Sequence, residues 1–206
     1  GIDVPLSVDF ESGFGATPED VAEAIWRTID AGAVGATIAD QSGVAGQPLF
    51  DTQDAVERIA AAREAADHTE IKFTLTARTN CFLTGMEAPF AATVRRANLY
   101  REAGADCLFV PGVNNLATIA SLAREIDAPL GVALGGQSFG FVLADLKNAG
   151  VKRVSLGGYL ARASMAHIRK AAKEMSEEGT FDLAVDHLGN GMLSLPFYKP
   201  VEHRVS

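Results

Sequence analysis

Three times in this chain a helix-like run ends in Ala-Gly or its close equivalent and passes directly into a strand-like run. The three junctions are Ala31-Gly32-Ala33-Val34, Ala103-Gly104-Ala105-Asp106 and Ala149-Gly150-Val151-Lys152. Glycine at such a junction supplies the left-handed C-cap that lets the chain reverse. The recurrence predicts a series of βα units. Strands are expected at Leu6–Asp9, Val34–Ala39, Ile71–Arg78, Cys107–Pro111, Leu130–Leu134 and Arg153–Leu156. Helices are expected at Pro18–Ala31, Thr52–Ala66, Pro89–Ala103, Asn115–Ile126 and Ser138–Ala149, with a long last one at Leu160–Glu178. Val21, Ile25 and Ile29 carry the apolar helical period most clearly. Apolar strands between amphipathic helices imply a parallel sheet covered on its faces. No linker or composition shift divides residues 1–206, which predicts one α/β domain. The pattern fades after Gly179, so residues 180–206 read as a C-terminal arm, with an apolar stretch at Leu193–Tyr198.

Composition narrows the function classes. A net charge of −8 without a basic cluster argues against nucleic acid or an anionic membrane surface as partner. No apolar run reaches the length of a membrane span. No signal peptide is recognisable, and the expected compartment is the cytoplasm. Cys81 and Cys107 are far apart with no CxxC, so they predict packing rather than a zinc site or a disulfide. His68, His167, His187 and His203 show no metal-ligand spacing.

The polar residues sit where the strands end. Val4–Gly15, VPLSVDFESGFG, opens as a strand, places Asp9 and Glu11 at its end and turns through glycines. Strand alternation puts both carboxylates on one face. Thr17 is the expected N-cap of the next helix, with Pro18 opening it and Asp20 at its third position. Asp40 and Gln41 follow the second strand; Arg78, Thr79 and Asn80 follow the third; Gly135-Gly136-Gln137 and Gly157-Gly158 end later ones. Strand C-termini are where parallel α/β sites form. Acids for a divalent cation, with an arginine for a carboxylate or phosphate, make a site for a small anion. Arg78 could equally serve as an ion-pair partner of a rim acid. The glycine pairs are candidate phosphate cradles.

The ordered segments VDFESGFG, GATIADQSG, LTARTN, AGADCLFVPG and RVSLGG resemble the isocitrate lyase/phosphoenolpyruvate mutase superfamily up to about Gly179. The resemblance implies a (β/α)₈ barrel of TIM type, about six of whose βα units are readable here. It implies a homo-oligomer, dimer or tetramer, that uses Mg²⁺, or Mn²⁺ in its place. The chemistry implied is that of a 2-oxo acid or phosphonate passing through an enolate. Carried over by position, Asp9 holds the metal, Glu11 is the second acid and Arg78 grips the substrate anion with Asn80 beside it. Asp40 is the third candidate ligand, although strand alternation faces it elsewhere unless the chain turns there. Three departures stand out. Ala39 occupies the place of a family glutamate; Ser42–Phe50 lacks the Cys, His and Lys of the lyase loop and the mutase's lid; and no counterpart of the first two βα units precedes Gly1. The last departure predicts a barrel completed from outside these residues.

The leading expectation is therefore a Mg²⁺-dependent lyase or phosphonomutase-like enzyme. A catalytically impaired member serving as a binding or scaffold protein is one alternative. Another phosphate-binding barrel enzyme, using Gly135 and Gly157, is a second.

Overall fold

The computed structural model describes residues 3–15, 17–135 and 140–184. The chain separates into two compact units, Gly1–Gly157 and Gly158–Ser206. The first holds a curled parallel sheet of β1 (Ser7–Asp9), β2 (Gly35–Ala39), β5 (Thr74–Arg78), β6 (Cys107–Val110), β7 (Leu130–Ala133) and β8 (Arg153–Ser155), in that spatial order. All neighbouring pairs are parallel. This is the parallel α/β sheet that the βα recurrence predicts, curled into the partial TIM-type barrel that the family resemblance implies. Among the described residues β1 and β8 are the edges of the sheet.

Helices α1 (Pro18–Asp30), α2 (Thr52–Asp67), α3 (Pro89–Glu102), α4 (Leu116–Glu125) and α5 (Leu143–Asn148) return the chain between strands. Thr17 and Asp20 close a capping box on α1: Asp20 N donates to Thr17 Oγ1 at 3.3 Å and Thr17 N to Asp20 Oδ2 at 2.9 Å. The junction glycines Gly32, Gly104 and Gly150 have φ of 94°, 105° and 92°, conformations that a Cβ disfavours. The expected helix Ser138–Ala149 is shorter, beginning at Leu143, and its first two expected residues lie outside the described ones.

Strand alternation sorts the sheet into two chemically different faces. Val8, Ala36, Ile38, Leu75, Ala77, Leu108, Val110, Leu130, Val132 and Val154 belong to the apolar core under the helices. Thr37, Ala39, Thr76, Arg78, Phe109, Gly131 and Arg153 fall on the other face. The sequence reads these strands as apolar throughout; the structure corrects this, because the inner face of a barrel takes polar groups where a ligand is to be reached.

A second difference lies after β2. Instead of a plain loop, the chain forms an antiparallel hairpin of β3 (Gln41–Val44) and β4 (Gln47–Leu49). Gly46 at its turn has a φ of 82°, and Gly43, within β3 where the register shifts, has a φ of 70°.

The second unit contains α6 (Tyr159–Glu177) and a 3₁₀ turn at Asp182–Ala184. Glu174 ties the two together, accepting from Thr180 Oγ1 at 2.7 Å, Asp182 N at 2.6 Å and Leu183 N at 3.1 Å. The apolar stretch Leu193–Tyr198 and most of the expected arm lie outside the described residues.

Candidate functional site

The C-terminal ends of β1, β2 and β5 are adjacent, and their polar residues close a ring. Arg78 Nη1 lies 3.9 Å from Asp9 Oδ2. Arg78 Nε donates to Asn80 Oδ1 at 2.8 Å, and Asn80 Nδ2 donates to Gln41 Oε1 at 2.9 Å. Gln41 Nε2 donates to Glu11 Oε2 at 2.7 Å, and Glu11 N returns to Asp9 Oδ1 at 3.2 Å. Two carboxylates and one guanidinium thus face each other across a pair of amides. The Arg78 side chain is 15% exposed, whereas that of Asp9 is 57% exposed. The cation is held in the wall, and the acid is open to an incoming ion.

Each member has a structural reason for its place. Asp9 is the last residue of β1. Glu11 does not extend that strand: its φ is 49°, in the left-handed region. The sequence expectation that alternation aligns the two acids is corrected here; a turn carries Glu11 back toward Asp9. For a residue with a Cβ that conformation costs roughly 1–2 kcal/mol, and it persists because its surroundings impose it. Part of the imposition comes from Arg58 on α2, buried at 2% exposure, which donates to the carbonyls of Ser12 and, at 2.8 Å, Gly15. Its guanidinium also stacks 4.4 Å from the centre of the Phe50 ring. Arg78 has a floor of its own: its guanidinium lies 5.7 Å from the Phe109 ring centre.

Asp40 stands apart from the ring. The sequence counts it as a metal candidate, but its side chain is 1% exposed and turned away from the rim. Oδ1 accepts from Asn80 N at 2.9 Å. Oδ2 accepts from Thr79 Oγ1 at 2.9 Å, Tyr100 OH at 2.9 Å and Arg96 Nη1 at 3.3 Å. Burial, and after it the Asp40 carboxylate, push the Tyr100 hydroxyl far above its ordinary pKa, so it remains a donor. The reason for the difference is alternation: Ala39 is in register with Arg78 on the inner face, and the next residue points outward to α3.

Gln41 is a member of the ring that sequence reasoning left out of the site. Its signal was present, since it directly follows the β2 end. Thr79, Arg96 and Tyr100 join the site only through contacts 39 to 60 residues apart.

The remaining candidates play other parts. Cys81 and Cys107 are buried free thiols, as their isolation in the sequence predicts. Burial pushes the Cys107 thiol up, which keeps it protonated and unreactive. His68 caps α2, with Nδ1 2.7 Å from the Glu64 carbonyl. His187 and His203 lie outside the described residues, as does Gly136 of the first glycine pair. A cleft of about 710 Å³, lined by Arg63, Phe73, Arg101 and Asp106 among others, lies at the N-terminal ends of β5 and β6, away from the rim. Ion pairs such as Arg63–Asp106 at 3.1 Å close the sheet there.

Among the described residues no group of three or more His, Cys, Asp and Glu is placed to hold a metal. The donor set at the rim is two carboxylates, all oxygen. Such a set fits a small hard cation that keeps several waters, and suits neither zinc nor copper.

Comparison with known proteins places this geometry in context. The sequence profile of the phosphoenolpyruvate phosphomutase family matches residues 1–176. The 2-methylisocitrate lyase of Aeropyrum pernix is 31% identical over 193 residues, covering 90% of this chain and 60% of that protein. A crystal structure of a candidate lyase/mutase from Burkholderia cenocepacia J2315 superposes with a TM-score of 0.91 at 41% identity. That match covers 96% of this chain and 70% of the other. The phosphoenolpyruvate phosphomutase of Streptomyces platensis shares the fold, with a TM-score of 0.80 at 22% identity over 95% of this chain and 70% of that one. The chain spans about three-fifths of the length of the curated relatives it matches.

Proposed function

The chain belongs to the phosphoenolpyruvate phosphomutase family, within the isocitrate lyase/phosphoenolpyruvate mutase superfamily, and from that premise we propose that its rim binds Mg²⁺ together with a small 2-oxo acid or phosphonate. The reaction is C–C or P–C bond chemistry through an enolate. The ring of Asp9, Arg78, Asn80, Gln41 and Glu11 carries this reading. Asp9 and Glu11 would hold the cation, or Mn²⁺ in its place. When bound, the cation supplies electrostatic stabilisation of a developing enolate oxygen.

The chain's own residues do the rest. Arg78 offers its Nη groups to a carboxylate or phosphonate while Nε stays bonded to Asn80. Its plane is fixed between Asn80 and Phe109, so little side-chain freedom is lost on binding. Gln41 directs Glu11 by donating to one of its oxygens and leaving the other free to accept. The small side chain of Ala39 leaves room beside Arg78 on the inner face.

Calorimetric titration with oxalate, an enolate mimic, in the presence of Mg²⁺ tests the proposal. Wild-type protein is expected to bind. Asp9→Asn should abolish binding, and Glu11→Gln should weaken it by about 10–100-fold. Equal binding by wild type and Asp9→Asn would show that this rim is not the site. A binding or scaffold role is the second reading, favoured by a rim that contains no His, Cys, Lys or Tyr side chain among its five ring members. Oxalate binding without turnover of any 2-oxo acid or phosphonate would support it. A dimer or tetramer belongs to the same family-based reading, and sedimentation of the full-length protein measures it.

A further inference from the structure

Asp40 is a fully engaged carboxylate on the core side of the rim, and its two oxygens face different parts of the molecule. Oδ2 takes three donors from the scaffold: Thr79 Oγ1, Arg96 Nη1 and Tyr100 OH. Oδ1 takes one, the main-chain N–H of Asn80. Asn80 is the residue whose amide holds Arg78 Nε on one side and Gln41 on the other. The hairpin stands on the same residue, through its main-chain carbonyl and through Arg96. Phe50 N donates to the Asp40 carbonyl at 2.9 Å, and Arg96 Nη2 donates to the Phe50 carbonyl at 2.8 Å. Both feet of the hairpin, and so Gln41 at its start, are fixed by the Asp40–Arg96 pair.

We propose that Asp40 is the positioning residue of this rim: through Asn80 it sets the plane of Arg78, and through the Asn80–Gln41 amide pair it sets Glu11. One buried carboxylate then aligns the anion-binding half and the cation-binding half of the site. A carboxylate is a costly choice for mere packing, because an apolar group of similar size fills a core without desolvating a charge. What the carboxylate adds is two acceptors of fixed geometry at once. An amide at this position can satisfy the Asn80 side or the Arg96 side, not both. This inference rests on the function proposed above only in its ligand arm.

The test uses the full chain and three variants. Asp40→Asn removes the double acceptor at constant size. Ile119→Val, in the α4 core away from the rim, lowers stability without touching the network. Arg78→Lys assigns the Arg78 Nε–H resonance in a ¹⁵N spectrum by its disappearance. In wild type that proton exchanges slowly, held by Asn80 Oδ1. In Asp40→Asn its exchange should accelerate on the order of tenfold, and the dissociation constant for oxalate with Mg²⁺ should rise about 10–100-fold, as for other partners that orient a ligating group. Ile119→Val should leave both readouts at wild-type values at temperatures well below its unfolding transition. Wild-type exchange of the Arg78 proton in folded Asp40→Asn overturns the proposal. So does an equal effect of Ile119→Val, which would make the role one of stability alone. If wild type does not bind oxalate at all, the functional reading fails, and the exchange measurement still decides the role of Asp40.

Discussion

Replacing Arg58 by methionine should loosen the turn that presents Glu11, and the cost can be worked from its contacts. Arg58 is 2% exposed and donates to the Ser12 and Gly15 carbonyls across 46 and 43 residues of sequence. A hydrogen bond to a charged group contributes about 1.5–3 kcal/mol, so the two give roughly 3–6 kcal/mol gross. Stacking on Phe50 at 4.4 Å adds about 1 kcal/mol. Against this, burial disfavours the charge, which is why the Arg58 pKa is lowered despite Asp20 and Asp54 nearby. Methionine also fills the space of the arginine stem and keeps contact with the ring. The net loss is about 2–4 kcal/mol, or roughly 4–16 °C in Tm for a chain of this size. Arg58→Lys carries the charge but reaches both carbonyls poorly, so it should recover less than half of the loss. Urea unfolding followed by circular dichroism gives the free energies, and Mg²⁺–oxalate titration reports the turn. An Arg58→Met protein within about 0.5 kcal/mol of wild type, a change typical of a surface site, would refute the reasoning.

Gly13→Ala should destabilise by at least about 1–2 kcal/mol, measured in the same way, because φ is 93° and the new Cβ would stand 2.9 Å from Val21 Cγ2. The Thr180 hydroxyl, with the Asp182 and Leu183 amides, holds the Glu174 carboxyl below its ordinary value. A group depressed in the folded state contributes stability above its unfolded pKa, about 4.3, and loses it as pH falls through the folded one. The end of α6 should therefore fray in acid below about pH 4, and Glu174→Gln should flatten that dependence in a helicity titration. Cys107, its thiol pushed up by burial, and buried Cys81 should react with an aromatic disulfide reagent at pH 8 only on unfolding. Rapid labelling of the native protein would contradict the burial of both.

Much of the fold was legible because it rests on local signals. The helix-ending glycines at 32, 104 and 150, the Thr17–Asp20 box and the apolar period of α1 each act within a few residues. Such signals locate six βα units by themselves, and the positions of Asp9, Arg78 and Asn80 at strand ends follow from them. The β3–β4 hairpin escaped because SGVAGQPLF has little alternation, and a glycine inside β3 weakens the strand pattern further. Glu11 was found as a residue but for an incomplete reason: strand geometry was extrapolated into a turn whose φ of 49° no side-chain pattern announces. Asp40 shows the same boundary. Its residue type suggests a ligand, and only the packing of α3 against β5 and β6 converts it into an acceptor for Thr79, Asn80, Arg96 and Tyr100. The sequence by itself determined which segments alternate and which polar residues stand near strand ends, since both depend on periodicity and caps. The tertiary structure decided which of those groups meet, because a contact across 30 to 60 residues depends on strand order and register, and neither is encoded at any single place in the chain.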